Sequence, residues 1–267
     1  KYGYSTFDWD ITDHLREGEN EVVLRVTFQA PNSRWYSGAG IYRNVWMIRL
    51  PETHIPLDGI YTSSVETENG YDLTIDTELE WGAITENYEL EYCLHYAGDS
   101  KNSAETENRE IFRVKQPLAG GQEKTSVTIP VDNPRKWDIT DPYLYDLQVC
   151  LWREQETNSR ELCQEEHLRI GFRTMQFDPA RGFLLNGRKV RLNGACDHHD
   201  LGALGAAFHK EAMRRKFELM RSMGVNAVRT SHNMPAVELM ELADEMGFLI
   251  VSEAFDMWEM AKNPYDY

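Results

Sequence analysis

Three apolar runs in this sequence end in residues able to do chemistry. Asp197, His198, His199 and Asp200 follow the first, Arg229, His232 and Asn233 the second, and Glu253, Asp256 and Trp258 the third. Imidazoles give and take hydrogen bonds with hydroxyls, a carboxylate accepts from them, and an indole stacks on the CH face of a ring. Together these side chains suit a polar, hydroxyl-rich ligand such as a sugar. His198 and His199 are adjacent, so in extended chain they point to opposite sides and only one is expected to face the site. Arg229, at the end of a buried strand, needs a carboxylate partner. A glutamate from a later strand would serve, its pKa lowered by the arginine.

The elements that must position these groups alternate in type. KVRLNG (189–194), VNAVRTSHN (225–233) and FLIVSEAFD (248–256) read as strands, separated by the helical stretches 208–224 and 235–247. Met213, Phe217 and Met220 recur at helical spacing before Gly224, and Leu239, Leu242, Ala243 and Met246 before Gly247, with each glycine placed to end its helix. Parallel strands joined by such crossovers bring their C-terminal ends to one face, where an α/β barrel keeps its active site. No G-x-G-x-x-G follows the first strand, and Gly202 to Gly205 comes too late, so a barrel is preferred to a dinucleotide-binding fold. Only three strands precede Tyr267, which is the first βαβαβ part of an eight-stranded barrel. A metal site would combine one of the paired histidines with His232 and Asp256 or Glu253. Barrel metallohydrolases space two strand-one histidines one residue apart, and that spacing is absent, so no metal is expected.

Upstream the pattern changes to period two. Residues 53–173 hold about seven alternating runs, among them Tyr71, Leu73, Ile75 and Leu79, then Tyr88 to Tyr96, then Tyr143 to Leu151, separated by polar, glycine-rich turns. This predicts an immunoglobulin-like β-sandwich without the Cys…Trp…Cys signature and without a catalytic constellation. Asn186-Gly187 between apolar runs predicts a hairpin leading into the barrel and plugging its bottom. Residues 1–52 read as the last strands of a further sandwich, with Val22, Leu24, Val26 and Phe28 alternating after a REGEN turn and a closing strand through Val45 and Ile48. The chain opens on Lys1 inside a patterned segment, so chain upstream of it is expected and the lack of a signal peptide carries no weight. A net charge of −16 argues against nucleic acid or an anionic membrane as partner, and no apolar run is long enough for a span. The 4 cysteines are scattered without CxxC pairs, so free buried thiols are expected.

SRWYSGAGIYRNVW, the GFR junction, GFLLNGRKVRLNGACDHHD, NAVRTSHN and GFLIVSEAFDMW, in that order, resemble glycoside hydrolase family 2, the β-galactosidase and β-glucuronidase family. The resemblance covers essentially the whole chain. It implies a multidomain β plus α/β architecture: the C-terminal part of a sugar-binding jelly roll over 1–52, an immunoglobulin-like sandwich over 53–173, and the N-terminal part of a (β/α)8 TIM barrel over 174–267. It further implies that His198 and His232 contact the sugar, that Arg229 is the family's arginine before the second-strand histidine, and that Glu253 with Asn233 supports the site from behind. Asp256, Trp258 and Asn32, the last in the jelly-roll loop, complete the expected carbohydrate contacts. That loop lacks the Asp of the large bacterial β-galactosidases. Met257 and Glu259 stand where those enzymes carry a magnesium-binding Glu and His, which puts a magnesium requirement in doubt; no other cofactor is implied. The family works by retention with two glutamates about 5–5.5 Å apart, after strands four and seven, beyond Tyr267. The resemblance therefore implies a parent exo-β-glycosidase, on the β-galactosidase side of the family, and a catalytically inactive 267-residue stretch. β-Glucuronidase, β-mannosidase, a metal-dependent barrel hydrolase and a non-catalytic carbohydrate-binding protein are the alternatives. A soluble bacterial-type enzyme, cytoplasmic or periplasmic and homo-oligomeric in the parent, is the corresponding expectation.

Overall fold

The alternation of Tyr71, Leu73 and Ile75 with Asp72, Thr74 and Asp76 gives one strand an apolar and a polar face. The computed structural model describes residues 3–32, 38–82, 87–96, 109–155, 159–257, 260 and 263–265. Residues 46–191 form one unit. In it β1 (Ile60–Glu66), β2 (Gly70–Glu78) and β5 (Lys124–Asp132) make an antiparallel sheet ordered β1-β2-β5. A second antiparallel sheet is ordered β4-β3-β6-β7, from β3 (Tyr88–Tyr96), β4 (Glu110–Leu118), β6 (Tyr145–Glu154) and β7 (Arg160–Ile170). Tyr71, Leu73 and Ile75 of the first sheet share a core with Leu90, Tyr92, Leu94, Tyr145, Leu147 and Leu151 of the second. This is the expected immunoglobulin-like sandwich. Thr77 and Tyr92 meet in the core through a hydroxyl–hydroxyl hydrogen bond of 2.9 Å, which satisfies two groups that burial would otherwise penalise. Burial pushes the Tyr92 phenol up to about 12.

The outer face of β3 is also covered, though not by apolar residues. The Glu91 side chain is only 3% exposed and is approached by Arg113 at 2.7 Å, Arg160 at 3.0 Å and Lys115 at 3.5 Å. Long cationic side chains lay their aliphatic stems over the sheet and bring their charges to the carboxylate. Burial alone would raise the Glu91 carboxyl; the hydrogen bond from Arg160 and the nearby cations override it and hold it below its ordinary value. A depressed carboxylate contributes stability above its unfolded pKa of about 4.3 and loses it as pH falls through the lower folded value. The difference in urea midpoint between the wild type and Glu91→Gln is therefore expected to be largest near pH 7 and to shrink below about pH 4.3. A difference that does not change with pH would contradict this assignment.

Three short strands, β8 (Met175–Asp178), β9 (Gly182–Leu185) and β10 (Arg188–Lys189), form an antiparallel meander. Asn186 and Gly187 turn the second hairpin with φ of 52° and 74°, the left-handed torsions that a two-residue turn requires. The Asn186 amide donates to the Trp137 carbonyl at 3.0 Å, and Arg188 pairs with Asp138 at 2.9 Å. By its contacts the meander groups with residues 46–191.

The second unit contains residues 1–45 and 192–267. Its parallel sheet is ordered β11 (Gly194–Asp197), β12 (Ala227–Thr230), β13 (Leu249–Val251), with α1 (Lys210–Ser222) and α2 (Val237–Met246) as the crossovers. The first strand starts later than the KVRLNG reading placed it. The Val190 amide bonds back to the Phe183 carbonyl, and pairing with β12 begins only at Gly194. Met213, Phe217 and Met220 of α1 pack with Leu239, Leu242, Ala243 and Met246 of α2, and Phe217 lies 4.5 Å from Phe248 between ring centroids. Gly247 ends α2 at a left-handed φ of 69°. No helix among the described residues is long and apolar enough to cross a membrane.

The strands expected within 1–50 do not form among the described residues. Asn20 closes the REGEN turn, accepting from the Arg16 amide at 3.0 Å and donating to the Arg16 carbonyl at 2.8 Å. A single 3-10 turn spans Thr12–His14, and Val22 to Phe28 stays exposed. Alternation supplies one apolar face, whereas a strand also needs a neighbour for its backbone donors and acceptors, and these residues meet none.

Candidate functional site

The parallel register decides what meets at the C-terminal ends of the three strands. Arg229 stands opposite Val251 and Cys196, so Glu253, two residues beyond Val251, comes within reach of its guanidinium. Arg229 Nε donates to Glu253 Oε1 at 2.7 Å, and His232 Nδ1 lies 2.9 Å from Glu253 Oε2. Arg229 Nη2 is 3.1 Å from the same imidazole nitrogen. The carboxylate can only accept and the guanidinium can only donate. With a proton on Nδ1 the His232 ring donates to Glu253 and leaves Nε2 as an acceptor, and the Arg229 Nη2 approach is then a contact between two donors and not a hydrogen bond. Behind this array the Glu253 amide donates to Thr230 Oγ1 at 3.0 Å, fixing the strand end. Burial would raise the Glu253 carboxyl, yet the hydrogen bonds from Arg229 and His232 prevail and hold it below its ordinary value.

Among the described residues the carboxylate partner of Arg229 is therefore Glu253, at the end of the adjacent, later strand. The remaining guanidinium nitrogen, Nη1, has weaker company: Cys196 Sγ at 3.3 Å and Ser231 Oγ at 3.4 Å. Cys196 corrects the expectation of buried thiols. Cys93 and Cys150 are buried, but Cys196 is exposed, and its thiol is lowered chiefly by the hydrogen bond from Arg229. Only its place at the end of a barrel strand could have flagged it.

The two adjacent histidines separate, though not by simple alternation. His199 takes a left-handed φ of 52°. The His198 ring packs edge-on against His232, centroids 5.2 Å apart, whereas the His199 ring lies 5.3 Å from that of Tyr4. Burial lowers His198, with His232 adding to the effect, and burial lowers His199 to about 4, assisted by Arg43. His199 also engages the Asn233 backbone. Asp197, only 3% exposed, pairs with Lys216 of α1, which also donates to the Asp200 carbonyl at 2.9 Å. The Asp197 carbonyl receives the Ser231 amide at 2.8 Å.

Of the remaining expected contacts, Asp256 and Asn233 are buried. Asp256 lies close enough to Tyr4 to help burial raise that phenol, against the pull of Arg43. Asn32 is half-buried, its Oδ1 enclosed. Trp258 lies outside the described residues. The structure thus joins Arg229, His232, Glu253 and His198 in one array and adds Cys196, Thr230 and Ser231, which sequence reasoning passed over. Among the described residues no three histidine, cysteine or acidic side chains converge as a metal would require.

Two family models match the chain: "Glycosyl hydrolases family 2" over residues 53–173 and "Glycosyl hydrolases family 2, TIM barrel domain" over residues 179–262. The chain is 39% identical over 273 residues to the β-galactosidase BoGH2A of Bacteroides ovatus, covering 100% of this chain and 30% of that protein. It is 28% identical over 267 residues to a β-glucuronidase of Bacteroides fragilis, covering 94% and 36%. The crystal structure of a glycosyl hydrolase family 2 member from Bacteroides cellulosilyticus superposes with a TM-score of 0.81 at 33% identity, covering 100% of this chain and 33% of that one. The chain spans about a third of the length of each.

Proposed function

Because this chain belongs to glycosyl hydrolase family 2, we propose that it supplies the sugar-binding half of a retaining exo-β-glycosidase active site, with terminal β-galactosides as substrates. The observation that carries this reading is the Arg229–His232–Glu253 array at the C-terminal strand ends. Glu253 holds the proton on His232 Nδ1, so Nε2 meets a sugar hydroxyl as acceptor, and His198 stands beside it as a second imidazole. Arg229 Nη1 donates to Cys196 Sγ at 3.3 Å and lies 3.4 Å from Ser231 Oγ, and a carboxylate entering the site would offer this charged donor a stronger acceptor than either. That carboxylate would be one of the two the retaining mechanism needs. Glu253 does not serve as acid or nucleophile, since both its oxygens are engaged by Arg229 and His232, and Asp197 is committed to Lys216. The catalytic pair is therefore sought in the barrel beyond Tyr267. The choice of galactoside over glucuronide follows the relatives: 39% identity to a β-galactosidase against 32% to a putative β-glucuronidase of Formosa agariphila.

A panel of nitrophenyl β-glycosides tests this, offered to the 267-residue chain and to a protein extended through the full barrel. Turnover of the galactoside by the extended protein alone is expected. Turnover of the glucuronide or the mannoside instead would keep the family chemistry and replace the substrate. Hydrolysis by the 267-residue chain itself would overturn the assignment of the catalytic pair.

A further inference from the structure

Residues 42–44 hold the barrel part at three points although they belong to no strand. The Tyr42 carbonyl accepts from the Phe208 amide at 3.0 Å, just before α1, and the Asn44 amide side chain donates to Glu238 in the first turn of α2 at 2.6 Å. Between them Arg43 spreads its guanidinium over two backbone carbonyls: Nη1 donates to Tyr4 at 2.9 Å and Nη2 to Met234 at 2.6 Å. The same group lies 5.0 Å from the centroid of the Tyr42 ring. Met234 follows His232 and Asn233 in the loop after β12. The backbone of that loop is also restrained by the Ser231 amide on the Asp197 carbonyl and by His199 on the Asn233 backbone.

We propose that Arg43 is a positioning residue: its fork fixes the loop after β12 and thereby keeps His232 against Arg229 and Glu253. The inference rests on the glycosidase reading for its catalytic consequence but not for its geometry. The residue type fits the task, because a planar guanidinium offers two directed donors to two carbonyls and an ammonium does not. A loop pinned at Ser231, Asn233 and Met234 leaves the intervening imidazole little freedom, and displacing a substrate-contacting group by about 1 Å can cost on the order of 100-fold in rate.

Two measurements on Arg43→Met and Arg43→Lys test it. In the 267-residue chain, NMR of the imidazoles is expected to show a shifted His232 resonance in Arg43→Met. The His199 midpoint is expected to rise from about 4, because Arg43 is one of the influences that lower it. Asp197, His198 and the Asn233 backbone, which also act on His199, are retained in the variant. In the extended protein, kcat/KM is expected to fall about 10- to 100-fold with little change in melting temperature. Arg43→Lys keeps the charge, loses the fork, and is expected to fall between wild type and Arg43→Met; it carries the test alone should the methionine variant not fold. An unmoved His232 resonance, or kcat/KM within about 3-fold of wild type where about 10-fold or more is expected, overturns the proposal. Should the extended wild type hydrolyse no glycoside, the glycosidase reading fails and the imidazole spectra still decide the positioning role.

Discussion

Replacing Arg229 by methionine is expected to lower kcat/KM of the extended enzyme by about 100- to 1000-fold while leaving its melting temperature nearly unchanged. The first half of the expectation follows from what the guanidinium touches. It holds Glu253 ionised through a 2.7 Å bond, stands 3.1 Å from His232 Nδ1, and donates from Nη1 to Cys196 Sγ at 3.3 Å. Methionine fills similar volume but donates nothing, so the charged partner of Glu253 and the Nη1 donor are lost together. The second half follows from exposure. The Arg229 side chain is 40% exposed and that of Glu253 27% exposed, and ion pairs this open contribute little to folding. Arg229→Lys is expected to recover little, since one ammonium cannot reach Glu253 and a second carboxylate in the same geometry. Steady-state kinetics beside a thermal melt separate the two effects. Activity within about 3-fold of wild type, set against a projected loss of at least 100-fold, would remove Arg229 from the site.

Phe172→Ala is expected to produce the largest loss of stability, about 3–5 kcal/mol in the sandwich unit. The ring is fully buried, lies edge-on to Tyr145 at 5.2 Å and tilts against Tyr71 at 5.3 Å. It sits where β7 gives way to the meander, and its own carbonyl accepts the Trp137 amide at 2.8 Å. Truncation removes apolar burial, two aromatic contacts and the filling of a site that close-packed neighbours cannot collapse into. Against a typical domain stability of about 5–15 kcal/mol, such a loss brings the unit near its limit. Urea unfolding followed by tryptophan fluorescence reports it directly, because Trp137 is itself 1% exposed. Phe172→Leu should cost less than the alanine variant. A loss below about 1 kcal/mol for Phe172→Ala would mean that the site relaxes and that this core is not packed as described.

The site shows where sequence reasoning reached and where it stopped. Asp197, Arg229, His232 and Glu253 were recognisable because each lies at or just past the end of an apolar run, and parallel strands must align those ends. The pairing of Arg229 with Glu253 was not recognisable. It depends on Arg229 standing opposite Val251, a register that no local pattern encodes. Cys196 joined the array for the same reason, through its pairing with Arg229. His199 left the expected alternation because of one left-handed torsion, which sent its ring to Tyr4 and set it apart from His198.

By itself the sequence determined the periodicities: the alternating faces of the sandwich strands, the apolar stripes of α1 and α2, the Asn186-Gly187 turn, and the order of strand and helix that makes a barrel beginning. These are local, because the side-chain period follows from backbone geometry over a few residues. The tertiary structure alone decided which charges meet and which thiol is exposed. Val22 to Phe28, although alternating, pairs with no strand among the described residues. Each of these outcomes depends on groups far apart in sequence, and a hydrogen bond or ion pair forms only where the fold brings both partners together.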